Sequence, residues 1–195
     1  MINDKSLGIE TGNLRNWPNK LAYNFNRLES TAYDRLELLS QHFRPVPGSQ
    51  LVDYGAGSGR VLFYLNHIWQ IPVDGIEFHE QTFKELEANY HSYHKRFPHH
   101  APIKLHHQDG RLFQLHQNHR IFYFFNPFSI LLFRPIVFDI LRFSNNNSLT
   151  VYLILYYPHP DYLNFLEQHT PFQLSQTISP KDSHDWRDCF YIYHN

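Results

Sequence analysis

A single cysteine, Cys189, leaves this 195-residue chain without a partner for an internal disulfide and excludes a zinc site built on several thiolates. The same scarcity fits a reducing compartment. The opening residues, Met1-Ile2-Asn3-Asp4-Lys5-Ser6-Leu7, lack the apolar stretch of an export signal, so a cytoplasmic location is expected. No apolar run approaches the roughly 20 residues that a membrane-spanning helix requires, and no membrane partner is expected. An excess of charge is missing too: 17 basic residues stand against 18 acidic ones, for a net charge of −1. Nucleic-acid binders usually show a basic surplus or stripe, so nucleic acid is the less favoured partner and a small molecule or protein side chain the favoured one.

Aromatics, at 17%, and histidines, of which there are 15, are plentiful. Most of the aromatics fall in apolar runs and read as core. The histidines include the pairs His99-His100 and His106-His107, with His116 and His119 downstream. Neutral imidazole is a common zinc or nickel ligand. No pair of histidines shows the four-residue helical spacing beside a glutamate that marks a zinc helix, so no metal is expected.

The pattern along the chain alternates strands with helices. Residues 1–48 read as a polar lead and a helical element, in which Leu28, Tyr33, Leu36, Leu38, Leu39 and Phe43 recur at helical spacing. Ser30 or Thr31 could cap that helix, and Pro45-Val-Pro47-Gly48 ends it. Residues 49–195 read as one α/β domain. Strands are expected at 51–54, 72–77, 102–106, 120–125 and 149–157, and helices at 60–68, 79–96, 130–143 and 161–169. Pro135 is an awkward interior residue of the third of these helices, and Asn145-Asn146-Asn147 reads as a loop. Segments 172–178 and 189–193 read as two closing strands. The expected fold is a single Rossmann-like domain: a mostly parallel sheet, helices on both faces and an antiparallel C-terminal strand.

One segment carries chemistry: Leu51-Val-Asp53-Tyr-Gly55-Ala-Gly57-Ser-Gly59-Arg60. A strand there turns through glycines into a helix N-terminus, at the sheet end where open α/β folds bind ligands. Glycines let a ligand approach the backbone closely. The second strand ends in Glu77, 18 residues after Gly59, where a carboxylate can accept hydrogen bonds from both hydroxyls of a ribose. The spacing is G-x-G-x-G, not the G-x-G-x-x-G of a dinucleotide site, and Arg60 stands where the third glycine of that pattern would fall.

This segment, with its acid two positions before the first glycine, resembles the first motif of class I S-adenosylmethionine-dependent methyltransferases. Gly75-Ile76-Glu77 resembles the family's ribose-binding acid and Gln108-Asp109-Gly110 its adenine-binding aspartate. Phe124-Phe125-Asn126-Pro127-Phe128 resembles its motif facing the active site. The likeness spans roughly residues 50–157. It implies S-adenosylmethionine as cofactor, held by Asp53, Gly55, Gly57, Gly59, Glu77, Phe78, Asp109, Gly110 and Asn126. It also implies methyl transfer by in-line displacement, with Asn126 as the catalytic residue and Pro127, Phe128 and Tyr33 against the acceptor. Ser30-Thr31-Ala32-Tyr33 ahead of the loop is similar to small bacterial methyltransferase-like proteins, in which Thr31 and Tyr33 would lie over the methionine end.

Plainer readings stand beside several of these. Asp109 before a glycine suits an ordinary turn, and Tyr33 suits a helix core. Phe78 and Leu112 suit the core as well as an adenine sandwich. Asn126-Pro127 opens a loop as readily as it binds an amine, and it has one proline where the amino-methyltransferase motif has two. The alternative to an enzyme is a binding module that keeps the fold without transferring methyl.

Overall fold

The computed structural model describes residues 2–13 and 29–195. Seven strands form one sheet: β1 (Gln50–Tyr54), β2 (Val73–Glu77), β3 (Ile103–His107), β4 (His119–Phe124), β5 (Tyr152–Tyr156), β6 (Gln173–Ile178) and β7 (Phe190–His194). Their order is β3-β2-β1-β4-β5-β7-β6, with the first five parallel and β7 antiparallel to both its neighbours. The closing hairpin is therefore present, with its second strand set inside the sheet and its first at the edge. β1 and β2 are buried along their whole length, as strands covered on both faces must be.

One face carries α1 (Asp4–Leu7), α2 (Tyr33–His42), α3 (Arg60–Trp69) and α4 (Glu80–Arg96), packed through Leu36, Leu39, Leu62, Leu65 and Leu86. The other face carries α5 (Ile130–Asn147) and α6 (Pro160–His169), packed through Phe133, Ile140, Phe165 and Leu166. Among the described residues no helix is long and apolar enough to cross a membrane.

Three local expectations are corrected. Neither Ser30 nor Thr31 caps α2, which begins after Ala32 without a side-chain cap. Their hydroxyls are committed elsewhere: Ser30 donates to the Thr11 carbonyl, and Thr31 pairs with the Tyr123 hydroxyl at 2.9 Å. Asn145–Asn147 form the last turn of α5 instead of a loop, because Ser144 is buried and Asn147 bonds the Phe143 carbonyl. The lead contains a short helix, α1, with an Asn3–Ser6 capping box. Leu28, part of the expected helical pattern, lies outside the described residues.

Candidate functional site

β1 is flanked by β2 on one side and β4 on the other, so the crossovers diverge at its carboxyl end and leave a crevice there. The crevice is an open cleft of about 920 Å³ including its mouth, within the range of small-molecule sites. Asp53, Gly55 and Gly57 line it from β1 and the following turn, Glu77 and Phe78 from β2, Asp109 and Gly110 from beyond β3, and Pro127 and Phe128 from beyond β4. Four segments separated in sequence thus meet in one place.

Glu77 organises the turn. Its Oε2 accepts from the Gly57 amide at 3.0 Å and its Oε1 from the His79 amide at 2.7 Å. Burial raises the Glu77 carboxyl, and these backbone bonds hold part of the rise back. The carboxylate therefore faces the bend. Asp53 is 3% exposed. Its burial first, and the Glu77 charge second, push its carboxyl up to about 8.

The glycines divide by role. Gly55, at φ 80°, has no room for a side chain: a Cβ there would lie 2.6 Å from the Pro127 Cβ. The glycine turn and the Asn126-Pro127 segment therefore fit each other by close approach. Gly59 does not line the cleft. At φ 97° it begins α3, and a Cβ there would meet Phe63 at 2.4 Å and Leu86 at 2.6 Å. The cofactor role expected for Gly59 gives way to packing. Gly59→Ala should cost about 3 kcal/mol, combining left-handed strain with overpacking, and lower the melting temperature by roughly 10 °C. A thermal melt within 2 °C of the parent would show that this contact does not matter.

Other expected residues take more varied positions. Phe78 is 46% exposed within the cleft wall, whereas Leu112 is exposed and outside it, so the pair cannot act as a sandwich here. Asp109 begins a short 3-10 turn at Gly110–Leu112, and its carboxylate is held by the Arg111 backbone amide and guanidinium. The Arg111 guanidinium keeps that carboxyl below its usual value. Asn126 adopts φ 40°, a left-handed turn that asparagine tolerates, between Phe125 and Pro127. Both neighbours line the cleft and Asn126 does not.

Tyr33 also stands outside the lining. Its hydroxyl donates to Asp4 and its ring lies under the Arg60 guanidinium at 4.8 Å. That arrangement belongs to a clasp in which residues 2–13 grip the start of α3. Arg60 Nε donates to Thr11 Oγ1 at 2.7 Å, and Asn89 ties the Glu10 backbone to the Ser58 carbonyl.

Sequence reasoning missed Arg60 and Tyr123 as cleft residues, while Phe125, within the motif read as facing the active site, does line the cleft. The position of Arg60 directly after the last glycine was a usable signal for it. Tyr123 lies within an apolar strand run and gave none.

No family model matches the sequence, and no curated protein matches it either. Solved structures do. A proposed RNA methyltransferase of Pyrococcus horikoshii matches at 20% identity over 83% of this chain and 78% of its own, with a TM-score of 0.54. A proposed tRNA (m1A22) methyltransferase of Streptococcus pneumoniae, solved with S-adenosyl-L-methionine, matches at 18% identity over 84% and 72%, with a TM-score of 0.55. An rRNA methylase of Streptococcus thermophilus matches at 13% identity over 82% and 92%, also with a TM-score of 0.55. The chain has the Rossmann-like fold of these methyltransferases. That is the fold the glycine-turn resemblance implied. These neighbours overturn the expectation of a small-molecule or protein acceptor with nucleic acid less favoured, since each is described as acting on RNA. A net charge averages the whole surface, so it does not by itself speak for the cleft and its rim.

Proposed function

We propose that the chain is an S-adenosylmethionine-dependent methyltransferase whose acceptor is RNA. The observation that carries this reading is the Glu77 carboxylate, fixed by the Gly57 amide inside the cleft at the point where the sheet order reverses. S-adenosylmethionine, when bound, supplies a methyl group on a positive sulfonium with a neutral thioether as leaving group. The cleft suits such a molecule from end to end. Glu77 offers acceptor lone pairs to two ribose hydroxyls. Phe78 offers an aromatic face to the adenine, and Gly110 and Asp109 border its edge.

At the other end, Arg60 and the buried Asp53 offer opposite charges to an amino-acid carboxylate and ammonium. Gly57, which also lines the cleft, lets the chain pass close to the backbone. Pro127 and Phe128 wall the side from which an acceptor base would enter, and Asn126 sets that wall through its left-handed turn. With the methyl donor already activated, the work of the protein is alignment and exclusion of water, which is worth several kcal/mol. The RNA acceptor is supported by the structural neighbours named above.

The test has two arms. Calorimetry with S-adenosylhomocysteine should give binding in the micromolar range, abolished by Gly57→Arg. Labelled cofactor incubated with a cell extract should then label RNA. Absence of binding would sink the cofactor reading, and label confined to protein or small molecules would sink the RNA acceptor.

A further inference from the structure

The foot of the sheet, opposite the cleft, holds a polar cluster that methyl transfer does not use. Asp74, the second residue of β2, buries its carboxylate there with 2% of the side chain exposed. His106 Nε2 lies 2.6 Å from Oδ1, His119 Nε2 lies 3.0 Å from Oδ2, and the Gln50 amide also donates to Oδ2. A third imidazole, His116, packs tilted against His119 with ring centres 3.5 Å apart. One ligand atom from each of Asp74, His116 and His119 lies within 4.8 Å of the others. The sequence shows His116 and His119 three positions apart on a turn, closed by the His119 amide donating to the His116 carbonyl at 2.8 Å.

We propose that Asp74, His116 and His119 bind a divalent transition-metal ion of the zinc class, with solvent completing the donor set. One carboxylate and two imidazoles suit zinc, nickel or copper better than calcium or magnesium, which take oxygen ligands. Ligands at 2.0–2.2 Å from a tetrahedral ion stand about 3.4 Å apart, so the spread of up to 4.8 Å closes when the exposed His116 ring swings inward. A structural cluster needs only His106, His119 and Gln50 around Asp74. His116 adds no bond to the carboxylate as it stands, yet it is placed within reach of an ion.

The protons follow. The His116 amide donates to His119 Nδ1 at 3.1 Å, so the His119 proton is on Nε2, toward Asp74. An ion taking Nε2 displaces that proton to Nδ1, where the amide now sits, so loading opens the 116–119 turn. The ion would tie β2 to the start of β4, far from the cleft, and would act on stability.

The experiment uses the full chain stripped by a chelator. Zinc alone should bind once per chain and raise the melting temperature. Cobalt in its place should show the intense visible absorption of a four-coordinate ion. His116→Ala, which changes an exposed side chain and leaves the fold intact, should weaken zinc binding at least tenfold and flatten the cobalt band. Asp74→Asn should do the same. His91→Ala combined with His94→Ala, exposed histidines on α4, should change neither. If His116→Ala binds like the parent, if binding follows the α4 histidines, or if zinc leaves the melt unmoved, the site does not exist.

Discussion

Asp53→Asn is expected to stabilise the fold and to remove most of its affinity for an adenosyl amino acid. The Asp53 carboxyl stands at about 8 in the folded chain, chiefly through burial. Unfolded, it titrates near about 4. Between those values the folded state keeps a proton that the unfolded state has released. Stability therefore falls as pH rises from about 4 toward about 8, and stays low above that. At about 1.4 kcal/mol per unit, the penalty at pH 7 is on the order of 4 kcal/mol. Asparagine has no proton to lose. The variant should melt roughly 10 °C higher at pH 7, with the gap closing toward pH 4. A gap of the same size at pH 5 and pH 8 would contradict the raised carboxyl.

Ligand affinity should move the other way. Where Asp53 must ionise to meet an ammonium, parent affinity for S-adenosylhomocysteine should drop about tenfold per unit below pH 8. Adenosine, which carries no cation, should show a flat profile, as should the weakly binding variant. A buried carboxyl that costs stability at the cleft is what a binding role for Asp53 predicts.

How much of this was legible in the sequence follows from range. The strands were readable because β1, β2 and β4 are apolar runs that end abruptly at Gly55, Glu77 and Asn126-Pro127, and each break sets a sheet end within a residue or two. Glu77 was readable as the acid that ends the apolar second strand, and the structure sets its carboxylate in the cleft against the Gly57 amide. Gly59 was misassigned because a glycine that clears Phe63 and Leu86 looks the same in sequence as one that clears a ligand. Only packing tells them apart. Tyr33 was drawn to the acceptor because it precedes the glycine turn, but Asp4, 29 positions upstream, holds its hydroxyl. The foot cluster was hidden for the same reason. His116 and His119 are close in sequence, but the carboxylate that gathers them is on another strand, and no local spacing encodes that.

Glu77→Ala should show the largest loss of binding of any single truncation in the cleft. The carboxylate holds the turn by accepting from the Gly57 and His79 amides, at 3.0 and 2.7 Å, and has lone pairs left for two hydroxyls. Hydrogen bonds to a charged acceptor contribute about 1.5–3 kcal/mol each, so losing two weakens ligand affinity by a factor of about 100 or more. The amides lose their partner as well, but water entering the cleft replaces part of it, and the fold should lose only about 2 kcal/mol. Glu77→Gln separates the two effects. It keeps one acceptor oxygen and turns an amine toward a backbone amide, so it should bind between the parent and alanine variants while melting close to the latter. Calorimetry with S-adenosylhomocysteine beside thermal melts reads both quantities. Alanine binding within threefold of the parent would mean that the carboxylate serves the turn alone, and that the ribose, if any enters, is gripped by another group.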